Sequence, residues 1–387
     1  MSTRRFALVA GGGTGGHLVP ALAVARALAA ARGPGSVELV GARRGLDAEL
    51  LAGQDVPATL LPGRGIVRRL DPRSTLANAV AAAGLASALV LSLVLVARRR
   101  PAVVVAMGGF ACLPVACAAA CLGVPVVLVN VDAVPGAANR LVGRFARAAA
   151  VAFEGTPLAR AVLTGAPVSD AVVAAAHPDR AARAAAKAGL GLPEDRTVVA
   201  AVGGSLGARR INEAVLELAR RWCTRADTAL YHVVGRRDAP WTAPAAAALG
   251  DGALCYVQVP YETRMGLFYQ AADVVVSRAG ANTVAELAVV GVPAVLVPLP
   301  GAPGDHQRAN AAVLERAGAA VTVPDAQCDG ARLAGELDAL TADGERLEAM
   351  RAAARALGRP DALHAVVELA LAHARGGRRH GGAARGG

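Results

Sequence analysis

The sequence has few aromatic residues and almost no lysine. Aromatic residues make up 3% of the 387 residues and apolar residues 54%, so the hydrophobic core must be built mainly from alanine, valine and leucine. The formal net charge is +11, but Lys187 is the single lysine, and the positive charge is arginine spread over an alanine- and glycine-rich chain. Nucleic-acid-binding proteins combine basic with aromatic side chains or carry a recognisable module. We therefore attribute the charge to a compositional bias and expect no nucleic-acid partner.

Cys-x-x-Cys pairs and an Asp-x-Asp motif are also missing, and we expect no leader segment. The six cysteines form no Cys-x-x-Cys pair, which predicts reduced, mostly buried thiols in a cytoplasmic protein. Only five apolar residues separate Arg5 from the first glycines, too few for the hydrophobic part of a signal peptide. Without Asp-x-Asp, the sequence gives no sign of a metal clamp on a diphosphate. We expect no metal ion and no other cofactor.

The N-terminal segment combines an apolar run, five glycines and a helical run. Residues 6–10 predict a buried β-strand, the glycine-rich stretch 11–16 a tight turn and residues 20–31 a helix. Glycines let an anionic group approach the bare backbone, and a helix that begins beside them directs unpaired N–H groups at that group. The segment therefore predicts a phosphate-binding turn.

The same arrangement repeats along the chain. Apolar strands near 37–40, 102–106 and 124–129 alternate with helical runs, and a second series begins at 197–202, before the glycine turn 203–207. This alternation predicts parallel sheets covered by helices. We predict an α/β chain with two Rossmann-like, doubly wound domains, 1–165 and 166–357, and a disordered basic tail, 375–387.

The most apolar window is 79–97, which ends at three arginines, 98–100. Its length just meets the criterion for a membrane span. However, much of it is alanine, and it leads directly into the strand 102–106 that the sheet requires. Two interpretations stay open: a buried helix that covers the sheet, or a helix at a membrane surface with an arginine collar. The polar residues before it, 62–78, predict an exposed loop.

The phosphate-binding turn fits two classes of enzyme. Residues 11–16 satisfy the Gly-x-Gly-x-x-Gly pattern of dinucleotide-binding proteins, although this pattern alone is weakly specific. A NAD site needs an acidic residue after the second strand, whereas Arg43 and Arg44 stand there and suit a 2′-phosphate. An NADP-binding oxidoreductase is one hypothesis. The second glycine turn, 203–207, favours a sugar-nucleotide transferase.

Further motifs make the transferase hypothesis specific. They begin with Gly-Gly-Gly-Thr-Gly-Gly-His-Leu-Val-Pro at 11–20 and end with Ala-Gly-Ala at 317–319. Those between them are Gly45-Leu46-Asp47, Met107-Gly108-Gly109-Phe110, Gly123-Val124-Pro125, Asn139-Arg140, Gly203-Gly204-Ser205-x-Gly207-Ala208, Arg278-Ala279-Gly280-Ala281-x-Thr283-x-x-Glu286 and His306-Gln307-x-x-Asn310-Ala311. In this order they resemble the MurG family of bacterial glycosyltransferases, over residues 5–370.

The resemblance implies a GT-B fold, in which two Rossmann-like domains face a cleft and a final helix, here about 358–374, packs back on the first domain. It implies inverting, metal-independent transfer of N-acetylglucosamine from UDP-N-acetylglucosamine to lipid I, the undecaprenyl-diphospho-muramyl-pentapeptide, in peptidoglycan synthesis. The expected location is the cytoplasmic face of the bacterial membrane, with peripheral attachment. The resemblance also admits wall-synthesis proteins as partners.

The family's functional residues can be carried over motif by motif. Donor binding is then expected of Thr14, Gly15, Gly16, Gly204, Ser205, Gly207, Arg278, Gly280, Ala281, Thr283, Glu286, Gln307 and Asn310. Acceptor binding is expected of Gly13, His17, Gly108, Gly109, Phe110, Asn139 and Arg140. The catalytic candidates are His17 and Asp132.

Some of these residues also have a structural interpretation. Glu286 suits the two ribose hydroxyls of the donor, but Thr283-x-x-Glu286 is also the pattern of a capping box. Gln307 and Asn310 share one helix face and suit sugar hydroxyls, although exposed amides are common on helices. His17 suits a phosphate or a proton relay, and it also suits a neutral helix cap.

The chain departs from the family pattern in three places. Where the family carries His-Glu-x-Asn, residues 129–132 are Val-Asn-Val-Asp, so the glutamate is missing and Asp132 offers a carboxylate instead. The family's Asn-Pro-Val-Arg is Ala-Pro-Val-Ser at 166–169, and Leu206 replaces the glutamine of its Gly-Gly-Ser-Gln-Gly. A transferase with the same donor and another acceptor therefore stays open, as does a membrane-associated protein that has kept the fold without catalysis.

Overall fold

The structure is a computed structural model that describes residues 4–12, 15–43, 51, 53–63, 72–204, 207–250 and 252–376, without the side chains of 72–80. The chain divides into two compact units. The first consists of Met1–Val131, Pro135–Pro167 and Asp361–Gly387, and the second of Asp132–Val134 and Val168–Pro360. Three residues that follow a strand of the first unit thus belong to the second.

The first unit is built on a parallel sheet of seven strands in the order β3-β2-β1-β4-β5-β6-β7. Its central strands are buried along their whole length, which is why they occur in the sequence as continuous apolar runs without alternation. The strands are β1 Ala7–Gly12, β2 Val37–Ala42, β3 Ala58–Leu61, β4 Val103–Gly108, β5 Val126–Asn130, β6 Ala148–Val151 and β7 Ala161–Leu163.

Helices cover this sheet. They are α1 Gly15–Arg32, α2 Pro72–Arg99, α3 Gly109–Cys121 and α4 Ala137–Gly143, together with the C-terminal helix, Ala362–His373. The C-terminal helix packs against α1 and against β4, β5 and β6, within the first unit. The helix predicted for about 358–374 therefore forms, between Ala362 and His373.

A buried carboxylate joins α2 to the sheet. Glu38, inside β2, is 2% exposed, and its Oε2 lies 2.7 Å from Nε of Arg99 and 3.3 Å from Nε of Arg5. Thr59 Oγ1 donates a hydrogen bond to Glu38 Oε1 at 2.6 Å. A carboxylate this deeply buried is stable only when it is paired. The acidic residue in β2 therefore serves the scaffold by holding the end of α2.

Two predicted helix starts are wrong. Helix α1 begins at Gly15 and α3 at Gly109, whereas the sequence predicted starts at Pro20 and after Pro114. In both helices the proline lies five residues inside the helix. Proline is most favoured in the first turn of a helix, where its missing N–H costs nothing, so a proline inside the helix is a misleading start signal. Gly15 and Gly16 thus lie in the first turn of α1, and Gly109 is the first residue of α3.

The loop predicted for 62–78 is wrong in its last part, because α2 begins at Pro72. Within the described chain, α2 holds the one helix segment that is long and apolar enough to cross a membrane by length and composition, Ala81–Arg99, with a mean hydropathy of 2.0. Ala88 and Val96 on one side are buried, while Val90 and Val94 on the other are 60% and 42% exposed. One face of this helix is thus buried, and the opposite face exposes apolar side chains.

The second unit contains a parallel sheet of six strands in the order β10-β9-β8-β11-β12-β13. The strands are β8 Thr197–Val202, β9 Thr228–Val233, β10 Cys255–Val259, β11 Val274–Ser277, β12 Ala294–Leu296 and β13 Ala320–Thr322. The helices are α5 Asp170–Val173, α6 Arg180–Gly189, α7 Arg209–Arg221, α8 Ala239–Ala247, α9 Met265–Ala271, α10 Ala281–Val290, α11 His306–Arg316, α12 Gly330–Thr341 and α13 Gly344–Leu357. Helices therefore begin at the carboxyl ends of neighbouring strands, the usual place of ligand sites in such sheets.

Candidate active site

Backbone meets backbone at the carboxyl edge of the first sheet. Gly12, at the end of β1, forms a parallel bridge with Gly109, which follows β4. A Cβ atom on Gly109 would overlap the carbonyl oxygen of Gly12, and Gly109 has a φ of +75°. Only glycine fits this position. Because α1 and α3 begin within a few residues of these two strand ends, their N-terminal N–H groups form a favourable site for an anion.

Three predicted acceptor residues come together beside this turn. The Cε1 and Nδ1 atoms of His17 lie 3.0 Å from the place that a Cβ on Gly108 would take, and Oδ1 of Asn139 lies 3.5 Å from it. Asn139 is 6% exposed, and its Nδ2 donates a hydrogen bond to Oδ1 of Asn130 at 2.9 Å. Asn130 was not predicted as a site residue, although it occupies the position of the family's missing glutamate.

The other predicted residues of the first unit are more scattered. Phe110 is half-buried and its ring packs against Gly63. Gly16 and Arg140 are exposed. Gly13 and Thr14 lie outside the described residues, as does Arg44.

The second glycine turn is also closed by backbone contacts. A Cβ on Gly203 would overlap the backbone nitrogen of Ala208, and one on Gly207 would overlap the carbonyl oxygen of Val234. Gly204 has a φ of +92°. Helix α7 begins directly after the turn at Arg209, so its N-terminus is available to an anion. Ser205 lies outside the described residues.

Glu286 lies on α10 and is hydrogen-bonded to a tyrosine. The helix begins at Ala281 with Gly280 as its N-cap, so Thr283 is not at the cap and the capping-box interpretation is wrong. The hydroxyl of Tyr269, on α9, donates a hydrogen bond to Oε2 of Glu286 at 2.7 Å. Burial raises the pKa of the Glu286 carboxyl to about 7, and the bond from Tyr269 opposes that rise.

Arg278 is tied to the protein. Its Nη1 donates to Oδ1 of Asp325 at 2.6 Å and to the carbonyl oxygen of Val297 at 3.0 Å. Its side chain is 13% exposed. The guanidinium thus joins the end of β11 to the residues after β12 and to the short segment Asp325–Gln327.

Asn310 and Gln307 lie on α11, but their surroundings differ. Asn310 is fully buried: Nδ2 donates to Oδ1 of Asp132 at 2.9 Å and to the carbonyl oxygen of Ala279 at 3.2 Å, while Oδ1 accepts from the Ala133 N–H at 2.8 Å. The half-buried Gln307 makes one bond, accepting from the Leu299 N–H at 2.9 Å. Asn310 therefore holds the segment 132–134 within the second unit, whereas Gln307 accepts its bond from a neighbouring loop through the carbonyl oxygen of its amide.

The comparisons with known proteins agree over nearly the whole chain. Residues 7–151 match the N-terminal domain and residues 198–366 the C-terminal domain of glycosyltransferase family 28. The UDP-N-acetylglucosamine–N-acetylmuramyl-(pentapeptide) pyrophosphoryl-undecaprenol N-acetylglucosamine transferases of Desulforudis audaxviator and a Nocardioides species are 36% and 39% identical, each over 94% of this chain and 96% or 97% of their own length. The chain belongs to the MurG family.

A solved structure agrees with this assignment. The crystal structure of MurG from Acinetobacter baumannii matches 95% of this chain and 99% of its own, with a TM-score of 0.74 and 27% sequence identity. The two parallel-sheet units thus form a GT-B glycosyltransferase fold, as the sequence predicted. Family membership also removes the hypothesis of an NADP-binding oxidoreductase, for which the exposed Arg43 was a candidate.

The hydrogen bonds on α11 of this MurG-family chain lead to a stability prediction. We expect Asn310→Ala to lower the free energy of unfolding by about 2–4 kcal/mol, because it leaves the Asp132 carboxylate and the Ala133 N–H without their amide partner. Gln307→Ala, three residues away on the same helix, is the matched control and should cost less than about 1 kcal/mol. Urea denaturation of the variants measures both. Equal losses would contradict the role of Asn310 as a clamp.

Proposed function

We propose that this chain transfers N-acetylglucosamine from UDP-N-acetylglucosamine to lipid I and so forms lipid II in peptidoglycan synthesis. The observation that carries the proposal is the similarity to relatives named for this reaction, at 36–39% identity over 94% of the chain. A second support is the carboxylate of Glu286, which lies on α10, the helix that follows β11. The reaction makes the protein a hexosyltransferase of cell-wall synthesis.

The donor binds to the second unit in this proposal. Glu286 accepts the two ribose hydroxyls, a geometry that suits a carboxylate. Gln307 contacts hydroxyls of the sugar, whereas Asn310 supports the segment 132–134. The remaining donor residues that we retain are Thr14, Gly15, Gly16, Arg278, Gly280, Ala281 and Thr283.

Departure of UDP places negative charge on the diphosphate. The amides of Gly204 and Gly207 and the N-terminus of α7 stabilise that charge, because they are fixed donors that need no reorganisation during the reaction. The family motif adds the amide of Ser205 to this set. The proposal requires no charged side chain in this turn. In this proposal the glycines of the turn have two roles: they stabilise the charge of the diphosphate and they form the tight connection between β8 and α7.

The acceptor binds at the first glycine turn. Its diphosphate would be held by the N-termini of α1 and α3 and by the side chains of His17 and Asn139. The family motifs add further candidate acceptor residues, which are Gly13, Gly108, Gly109, Phe110 and Arg140. An acceptor hydroxyl attacks the anomeric carbon, its proton passes to a base, and the bond from that carbon to UDP breaks with inversion. His17 and Asp132 are the candidate bases.

Release of UDP from UDP-N-acetylglucosamine, in vesicles with and without lipid I, tests the proposed function. We expect release that depends on lipid I, and we expect Glu286→Ala to lower kcat/KM for the donor at least about tenfold, because a charge-assisted bond to the ribose is lost. Removing the base, by His17→Ala or Asp132→Asn, should lower kcat by about 10²–10⁴.

Three outcomes separate the hypotheses. Donor binding without release in the presence of lipid I would favour a MurG-like transferase with another acceptor. Donor binding without turnover on any acceptor would favour a non-catalytic role. A chain that binds no uridine nucleotide would contradict the proposal altogether.

The pKa of Glu286 predicts how donor binding depends on pH. Only the ionised carboxylate accepts from both ribose hydroxyls, and the pKa is about 7. The affinity for UDP-N-acetylglucosamine should therefore be constant above pH 8 and fall by up to about tenfold per pH unit below 7. Calorimetry from pH 5.5 to 8.5 measures it, with Glu286→Gln as the control that should remove the dependence. A flat profile in the unaltered protein would argue against a ribose contact by this carboxylate.

Peripheral attachment to the membrane belongs to the proposal as well. Helix α2 exposes Val90, Leu91 and Val94 by 60%, 46% and 42%, and Arg98 and Arg100 are exposed at and just beyond its C-terminal end. Exposed apolar side chains beside arginines fit a surface of anionic lipid headgroups. Wall-synthesis proteins stay an expectation as further partners.

Vesicle binding tests this attachment. The triple change of Val90, Leu91 and Val94 to serine should weaken binding to anionic vesicles at least about tenfold, since each lost apolar contact is worth roughly 1 kcal/mol or more. Leu299→Ser, at another exposed apolar residue, should leave binding unchanged. Sedimentation at low and at physiological salt is the measurement. A protein that stays in the supernatant with anionic vesicles at low salt would contradict the attachment.

A further inference from the structure

The tyrosine that contacts Glu286 is placed with little freedom. Tyr269 is the fifth residue of α9 and is 1% exposed. Its ring packs edge-on against that of Phe268, with ring centroids 5.2 Å apart and planes at 82°. Since both side chains are fully buried, the hydroxyl of Tyr269 occupies a fixed point beside α10. The 2.7 Å bond to Oε2 of Glu286 is therefore made by a rigid donor.

Within the described residues, the hydrogen bond to the Glu286 carboxylate comes from the hydroxyl of Tyr269. Ionic groups line the cavity that Tyr269 borders, but they are bonded to one another. Arg351 Nη2 lies 3.1 Å from Oδ1 of Asp273, and Arg355 Nη2 lies 2.7 Å from Oε1 of Glu348. The carboxylate thus meets a neutral phenol, which orients it without neutralising its charge.

Orientation matters for a glutamate that must accept two hydroxyls at once. A free glutamate side chain loses about 1.5–2 kcal/mol of rotamer entropy when it is fixed. A bond already present at Oε2 removes part of that loss before the ligand arrives. It leaves the lone pairs of Oε1 and one of Oε2 for the ligand.

We propose that Tyr269 is a positioning residue for the donor: its hydroxyl holds the Glu286 carboxylate in the orientation that accepts the two ribose hydroxyls. The inference rests on the proposed function, in which Glu286 binds the ribose. Tyr269 itself touches neither substrate. No local pattern marks Tyr269 as a functional residue, because a tyrosine in the helical run before β11 is indistinguishable from a core residue.

Binding of two nucleotides to Tyr269→Phe tests the inference. The change removes one oxygen and keeps the ring. We expect the affinity for UDP to fall about tenfold, the strength of one hydrogen bond to a charged group, and the affinity for 2′,3′-dideoxy-UDP to stay within about twofold. In the complete reaction the KM for UDP-N-acetylglucosamine should rise about tenfold while kcat changes less than about threefold. Calorimetry and steady-state kinetics with the full chain measure these.

Two control variants make the result interpretable. Tyr256→Phe also removes a hydroxyl, one that lies 2.8 Å from Nδ1 of His232 in the same unit, and it should change neither affinity. Glu286→Gln tests the donor site itself. If Glu286→Gln leaves UDP affinity unchanged, the ribose contact of the proposed function fails. If Glu286→Gln weakens UDP binding and Tyr269→Phe does not, the positioning role alone fails.

Equal weakening of UDP and the dideoxy analogue by Tyr269→Phe would show a packing role and overturn the inference. Should that variant not fold, 3-fluorotyrosine in place of Tyr269 keeps the ring and the hydroxyl and makes the hydroxyl a better donor. It should then tighten UDP binding at pH 6.5, because a stronger bond favours the ionised carboxylate. The dideoxy analogue should again bind as before, and equal shifts for both nucleotides would contradict the role.

Discussion

Close approach of backbone to backbone at the carboxyl ends of the central strands is the constraint on which both units depend. In the first unit, the carbonyl oxygen of Gly12 occupies the space that a side chain on Gly109 would need. In the second unit, the backbone nitrogen of Ala208 occupies the space that a side chain on Gly203 would need. Because these contacts draw the strand ends and the following helices together, the helix N-termini lie where they can bind an anion. The same glycines thus determine both the packing of the strand ends and the position of the candidate anion sites.

Much of the architecture could be predicted because the strands are buried on both faces. Runs such as 7–10 and 103–106 are apolar without interruption, which is typical of parallel sheets. The helix boundaries were harder to predict. Pro20 and Pro114 suggested starts that lie inside the helices, and the polar composition of 72–78 concealed the first turns of α2. Local propensity failed where packing against the sheet decides the length of a helix.

The site shows which roles a motif can reveal. Glu286 and Gly108 are candidates because family motifs contain them, but a motif does not say what a side chain contacts. Asn310 belongs to a family motif and its amide is bonded wholly to the protein, and Arg278 is held in a similar way. Tyr269 and Asn130 belong to none of the motifs that match the family, yet each is hydrogen-bonded to a residue of such a motif. Tertiary partners of this kind lie far apart in sequence, and no local pattern encodes them.

The residues that stand in place of the family's His-Glu-x-Asn have hydrogen-bond partners of their own. The family's His-Glu-x-Asn places a carboxylate first and an amide two residues later, whereas this chain has an amide, Asn130, followed by a carboxylate, Asp132. Each is bonded in its own unit: Asn130 accepts from Asn139, and Asp132 accepts from Asn310. Neither contact leaves a buried polar group unpaired, which would be costly. The chain thus carries one amide and one carboxylate in this segment, in the reverse order to the family pattern, and each is hydrogen-bonded to an asparagine.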